Sequence, residues 1–268
     1  MATGKGKCRL PFSDQPGFHY TPLDFTDPFS VHDVFEQIKP TIVVHTGAMS
    51  KPDECELNQW LCYDTNVQGT LNLLANAEEY NSYFLFVSTD FVFSGERGMY
   101  KEDEETNPVN FYGKSKADVE DAVKEYSFDW SIVRTSLMYG NPLSGKQNLL
   151  TIVKDKLEKG ESYKVVSDQV RTPTYIEDLA KGINSMIDKK VNGIYHLSGE
   201  EVLTPYDIAC SVADYYSLDK SLLIKVDSSV FTQPAKRPPR TGLIIEKAKR
   251  ELNYQPISFL EGLAKTFK

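Results

Sequence analysis

The sequence lacks most of what marks a secreted, membrane-spanning or nucleic-acid-binding protein. Its four cysteines, at 8, 55, 62 and 210, form no Cys-x-x-Cys pair. They read as reduced thiols of a cytoplasmic chain, not as a disulfide framework. The four histidines are scattered, none at zinc-ligand spacing, so no metal site follows. His45 lies inside an apolar run and reads as a hydrogen-bonded core residue. No apolar run approaches the ~20 residues needed to span a bilayer. The early cations Lys5, Lys7 and Arg9 lead into no signal-peptide core. Basic charge is in deficit, with 30 Lys and Arg against 38 Asp and Glu for a net charge of −8. Neither nucleic acid nor membrane is therefore an expected partner.

What is present is a rhythm of strand, polar turn and helix. At 268 residues the chain is long enough for one large domain or a domain with a smaller lobe. A strand over 18–23 ends at Asp24, and a helix with apolar residues at Val31, Val34, Phe35 and Ile38 runs to Pro40. The β-branched run 41–45 reads as a buried parallel strand, followed by the small residues Thr46, Gly47 and Ala48. A helical region over 54–80 holds Asn66 and Gly69, which helix propensity does not explain. Strands over 83–87 and 130–134 flank a helix over 114–126. Such repetition means parallel βαβ units and a doubly wound α/β sheet.

After Pro142 the rhythm changes. Helices are expected over 149–159 and 176–189, a short strand over 164–166, and a last sheet strand over 193–198. Thr204-Pro205 opens a helix to 216. The segment 231–241, with Pro234, Pro238 and Pro239, is an irregular arm before helices over 245–252 and 258–267. The expected division is a cofactor domain of 1–140 plus 174–199 and a smaller mixed substrate lobe of 141–173 plus 200–268.

The chemistry concentrates in 87–116, where a strand ends in Ser88-Thr89-Asp90 and a helix opens with Tyr112-Gly113-Lys114-Ser115-Lys116. Tyr112 and Lys116, four apart, share one helix face. A phenol beside an ammonium is a proton donor whose pKa the positive charge is expected to lower. A hydroxyl from the strand end completes a site for carbonyl reduction. Ligands of open α/β sheets bind at strand carboxyl ends, where Thr46, Ser88 and Thr135 all fall.

These segments resemble the extended short-chain dehydrogenase/reductase family, and within it dTDP-4-dehydrorhamnose reductase and its relatives. The likeness is carried by His45-Thr46-Gly47-Ala48 with Asp53-x-x-Glu56, by Asn66-Val67-x-Gly69-Thr70, and by 87–95. It continues in Tyr112-Gly113-x-Ser115-Lys116, Arg134-Thr135-Ser136, and Asp168-Gln169 with Pro173-Thr174. The resemblance implies a Rossmann-like fold and reduction of a nucleotide-linked 4-keto sugar, with Thr89, Tyr112 and Lys116 as catalytic residues. It implies cofactor contacts from Gly4, Lys5, Asp24, Phe25, Thr46, Gly47, Ala48, Asn66, Ser88 and Thr135. Substrate contacts are expected from Met49, Asp90, Arg171 and Thr172, Arg171 because its fork suits phosphate oxygens. Lys5, Lys7 and Arg9 favour NADP, with NAD the alternative. The resemblance leaves room for a homodimer.

One departure accompanies it. The family's first strand and Gly-x-x-Gly-x-x-Gly turn have no counterpart here, so the sheet is expected to lack its first βα unit, with a gap at its centre. That departure keeps a second reading open: an inactive regulatory or binding subunit of the same fold, resembling the methionine adenosyltransferase β subunit. An epimerase or dehydratase ranks third, because Asp90 has no neighbouring Glu for an acid–base pair.

Overall fold

The computed structural model describes residues 1–143 and 147–267. Two three-residue strands, β1 (Ala2–Gly4) and β2 (Tyr20–Pro22), open the chain. Helix α1 (Pro28–Ile38) is capped by Asp27 and ends at Lys39, in the left-handed conformation just before Pro40. Next come β3 (Ile42–His45), α2 (Pro52–Leu57), α3 (Gln59–Tyr63) and α4 (Gly69–Glu79). The helical region expected over 54–80 is broken twice. Asn58 leaves helical geometry at φ −130° and ψ 61°, and a wide π turn over Asp64–Gln68 joins α3 to α4. Strand β4 (Tyr83–Thr89), helix α5 (Phe111–Lys124) and strand β5 (Trp130–Thr135) continue the parallel rhythm.

The remainder comprises β6 (Met138–Tyr139), α6 (Leu149–Glu158), β7 (Tyr163–Val166), β8 (Thr174–Tyr175), α7 (Ile176–Lys189) and β9 (Gly193–His196). Helix α8 (Pro205–Tyr215), β10 (Leu223–Val226), α9 (Glu246–Leu252) and α10 (Phe259–Thr266) close the chain. Strands β6, β8 and β10 escape sequence pattern because each gains its partner, respectively β8, β6 and β7, from a distant segment.

The main sheet is parallel, in the order β3-β4-β5-β9, while β1 and β2 form a separate parallel pair. No described strand lies between β1 and β3, so the central gap expected from the sequence is present. Ile42 and Val44 on β3 are 38% and 40% exposed. A parallel strand covered on both faces would bury them.

One face of the sheet packs Phe84, Phe86 and Ile132 against α1, α4 and α5. The other packs Leu85, Val133 and Tyr195 against α7 and α9. A third cluster joins α6, α8 and α10 through Val153, Val212 and Leu263. Burial of one such side chain contributes about 1.5–3 kcal/mol. Ile245, Ala248 and Leu252 belong to the sheet's cluster, so the expected lobe of 200–268 is crossed by α9, whose apolar face meets β9 and α7.

A concavity of about 560 Å³ lies at the amino ends of the strands and is lined by Thr41, Tyr83 and Asp129. The chemistry-bearing residues gather at the opposite, carboxyl end.

Candidate active site

Helix α5 starts against the end of β4. Asn110 caps it, its Oδ1 accepting the Gly113 N–H at 2.8 Å, while Glu56 Oε2 accepts the Phe111 N–H at 2.9 Å. Gly113 is needed for this approach, because a Cβ there would lie 2.2 Å from the Phe91 carbonyl oxygen. The contact sets Tyr112 beside the strand end, with its ring edge-on to Phe91 at 6.0 Å.

The Tyr112 phenol is pushed well above the ordinary tyrosine value by burial, against the opposing effect of a hydrogen bond with the Thr89 hydroxyl. The expectation of a lowered value is thus corrected, because loss of solvation is the largest influence on the phenol and Lys116 is not among the groups that shift it. Lys116 is itself pulled down to about 7 by burial, with Glu120 and Cys62 acting in the other direction. Its Nζ donates to the Val87 carbonyl at 2.7 Å and lies 3.9 Å from the centre of the Phe86 ring. Tyr112 is therefore a loaded proton donor at neutral pH, one helical turn from an ammonium poised near neutrality.

A charge network under α5 holds this arrangement. Arg134 and Glu120 are 1% and 0% exposed and pair at 2.6 Å, and Ser88 Oγ donates to Glu120 at 2.6 Å. The Ser88 hydroxyl is therefore engaged with α5. Asn66 sits in the π turn, accepting the Met49 N–H at 2.7 Å and donating to Ser115 Oγ at 2.9 Å; Ser115 Oγ in turn donates to the Tyr112 carbonyl. Asn66 thus joins the loop after β3 to α5.

The other expected residues fall into two groups. Thr46, Gly47 and Ala48 follow β3, and Phe25 fills the space beside Gly47 and Gly69, where a Cβ would meet its ring at 2.8 and 2.5 Å. Gly4 accepts the Tyr20 phenol through its carbonyl at 2.8 Å, and Lys5 pairs with Asp24 at 2.6 Å on the exposed β1–β2 side. Thr135 donates to Thr174 Oγ1 at 3.1 Å.

Of the residues expected to meet substrate, Arg171 and Asp90 hydrogen-bond to the arm 231–241, and Thr172 to the segment that follows it. Arg171 donates to the carbonyls of Val170 and Pro238, each at 2.8 Å, and Thr172 Oγ1 accepts the Leu243 N–H at 3.2 Å. Asp90 is buried and accepts from Thr89, Ser136 and Thr241. Burial raises its pKa, opposed by Arg171 and these hydroxyls. Met49 remains at the wall of the crevice through its backbone contacts with Asn66. Sequence reasoning missed Asn110 and Glu120; Asn110 carried a readable signal, an Asn directly before a helix, and Glu120 carried none.

Lys116 offers a test of fit for a nicotinamide cofactor. An ammonium has three donors, and the described residues supply one acceptor, which leaves donors for ribose hydroxyls. Those spare donors of Lys116 suit a nicotinamide ribose; among the described residues no glycine-rich turn for a diphosphate adjoins β3.

Comparison with known proteins gives a consistent picture. A family profile described as the RmlD substrate binding domain matches residues 12–268. The methionine adenosyltransferase 2 subunit beta of Xenopus laevis is 32% identical over 251 residues, covering 91% of this chain and 75% of that protein. The chain spans 64% of the Bos taurus counterpart. The dTDP-4-dehydrorhamnose reductase of Aggregatibacter actinomycetemcomitans is 30% identical over 257 residues, covering 91% and 86%. Among solved structures, dTDP-4-dehydrorhamnose reductase from Bacillus anthracis str. Ames, in complex with NADP, superposes with a TM-score of 0.87 at 30% identity, covering 93% of this chain and 90% of that one.

Proposed function

Since the chain belongs to the RmlD substrate binding domain family, we propose that it is an NADP-dependent reductase of a nucleotide-linked 4-keto sugar. The observation that carries the reading is the Tyr112 phenol, set beside the strand end that bears Thr89 and one helical turn from the buried ammonium of Lys116. NADPH, when bound, supplies a hydride to the ketone carbon. Tyr112 transfers its phenolic proton to the oxygen that becomes the hydroxyl. Thr89 holds that oxygen in line with the phenol. The phenolate left behind is stabilised by Lys116 in its charged form and regains a proton from solvent.

Lys116 and the small residues Thr46, Gly47 and Ala48 would hold the nicotinamide end, with Gly4, Lys5, Asp24 and Phe25 at the adenine end. Asn66, Ser88 and Thr135 shape the wall between through the hydrogen bonds they already make. A cytoplasmic location accords with this reading and with the free cysteines; among the described residues no helix is long and apolar enough to cross a membrane. A homodimer would have the exposed stripe Leu57, Trp60 and Leu61 to bury, and light scattering reads its mass directly.

The test is Tyr112→Phe. Turnover of a dTDP-4-keto sugar should fall by about 10²–10⁴-fold, with NADPH affinity and thermal unfolding unchanged. Retained turnover overturns the assignment. A second reading, a non-catalytic binding subunit, is favoured by the 32% identity to the methionine adenosyltransferase subunit. It requires wild-type protein that binds nucleotide and turns over no keto sugar.

A further inference from the structure

Two carboxylates one turn apart on α2, Asp53 and Glu56, have no part in the proton transfer described above. Three apart on a helix, they share a face, and each reaches a different element. Asp53 Oδ1 accepts the Ala235 N–H at 3.0 Å, and both its oxygens take the Arg237 guanidinium, Oδ2 at 2.7 Å. Glu56 accepts the first N–H of α5, that of Phe111. A third link closes the figure, because Asn110 Nδ2, at the cap of the same helix, donates to the Lys236 carbonyl at 2.7 Å. Helix α2, the arm 231–241 and the first turn of α5 therefore form a closed triangle, with Tyr112 on one corner.

The arm is held from its far side as well. Arg171 binds the Pro238 carbonyl, Thr241 donates to Asp90, and the Arg240 N–H donates to the Gly95 carbonyl at 3.1 Å. A Cβ on Gly95 would meet Pro238 Cβ at 2.6 Å. Pro234, Pro238 and Pro239 have carbonyls but no amides, and the Pro238 carbonyl takes its donor from Arg171 on another element. Two of these anchors touch the segment of Thr89 and Tyr112 directly, Thr241 through Asp90 and Asn110 at the start of α5.

We propose that Asp53, Glu56 and Arg237 are positioning residues for the substrate half of the site. Asp53 and Arg237 hold the arm as the wall against which a nucleotide-linked sugar is seated, and Glu56 fixes the helix start that aims Tyr112. This rests on the reductase reading above. The bidentate geometry matters, because a guanidinium fork and a carboxylate set orientation as well as distance, and Arg237 is 15% exposed while Asp53 is 36% exposed.

The test separates KM from kcat. Asp53→Ala should raise KM for the dTDP-4-keto sugar by about tenfold with kcat within about twofold, the signature of lost uniform binding. KM for NADPH should not move. Glu56→Ala should lower kcat by about tenfold with the sugar KM nearly constant. Glu56→Gln, which keeps an acceptor, should recover most of it, as Arg237→Lys should recover part of the loss in Arg237→Ala. Equal changes in both KM values, or none, overturn the proposal.

Amide exchange gives a readout independent of turnover. The Ala235 amide should exchange faster in Asp53→Ala and the Phe111 amide faster in Glu56→Ala, each without the other. If Asp53→Ala does not fold, Asp53→Asn removes the charge while keeping the Ala235 acceptor and takes its place in the kinetic test. Wild-type protein that reduces no nucleotide-sugar ketone sinks the reductase reading alone. The triangle then stands if binding of dTDP weakens by about tenfold in the Asp53 variant, and falls if dTDP affinity is unchanged.

Discussion

Two sides of one crevice are built in opposite ways. Around Tyr112 the strands β4 and β5 are seven and six residues long, and the charges beneath them are withdrawn from water. Arg134 and Glu120 are 1% and 0% exposed. Around Lys5 the strands β1 and β2 are three residues each, and the ion pair of Lys5 with Asp24 has side chains 82% and 34% exposed. A buried pair leaves a large desolvation penalty if it loses one partner, whereas an exposed pair is replaced by water. The Tyr112 side should therefore be intolerant of single changes and the Lys5 side tolerant, although both hold charged residues at similar distances.

Glu120→Ala breaks the comparison most sharply. It leaves the Arg134 guanidinium without a counter-charge and the Ser88 hydroxyl without its acceptor. Stability should fall by about 3–5 kcal/mol, read from urea unfolding. Joining it to Arg134→Met should recover most of the loss, because a pair of apolar residues carries no buried charge. A loss below about 1 kcal/mol would put the pair in the exposed class.

Lys116 sharpens the same contrast through pH. Its pKa of about 7 in the folded protein lies below the ordinary lysine value near ~10.4. Between those values the unfolded chain binds more protons than the folded one, so this group makes stability rise with pH across the window. Lys116→Met removes the dependence. The variant should exceed wild type by on the order of a few kcal/mol below pH ~7, with the difference closing as pH nears ~10. A difference that is constant, or reversed, between pH ~6 and pH ~9 contradicts the burial of the ammonium. Turnover in the wild type should fall as pH rises through the Lys116 value, since the phenolate then loses its charged neighbour.

How far these features could be read from the sequence follows from their range. Tyr112 and Lys116 are four apart on one helix, so their shared face was legible, as was the parallel rhythm that places Thr46, Thr89 and Thr135 at one end of the sheet. The gap beside β3 was legible from what precedes the run 41–45. Partnerships between distant residues were not. Asp53 meets Arg237 and Arg171 meets Pro238 across spans that no periodicity encodes. The Arg171 fork suggested phosphate oxygens; in the structure it donates to carbonyls of a proline-rich arm, since buried carbonyls need partners. The pKa of Tyr112 moved opposite to the expectation because burial depends on packing of the whole helix, which neighbouring charge alone does not report.

The smallest effect on stability is expected at the exposed pair of Lys5 and Asp24. Lys5→Ala and Asp24→Asn should each change unfolding free energy by less than about 1 kcal/mol, and the double variant should show a coupling in the same range. The Lys5 hydrogen bond that holds Asp24 below the ordinary carboxylate range is too exposed for more. Ligand preference should respond where stability does not. If Lys5 meets the 2′-phosphate of NADPH, Lys5→Ala lowers affinity for NADPH by about tenfold and leaves NADH binding unchanged, both read by fluorescence titration. Equal losses for the two cofactors would mean that Lys5 acts through Asp24 on their shared adenine. A coupling well above 1 kcal/mol would mean that the β1–β2 pair is packed as tightly as the catalytic side, and the two halves of the crevice would no longer differ in kind.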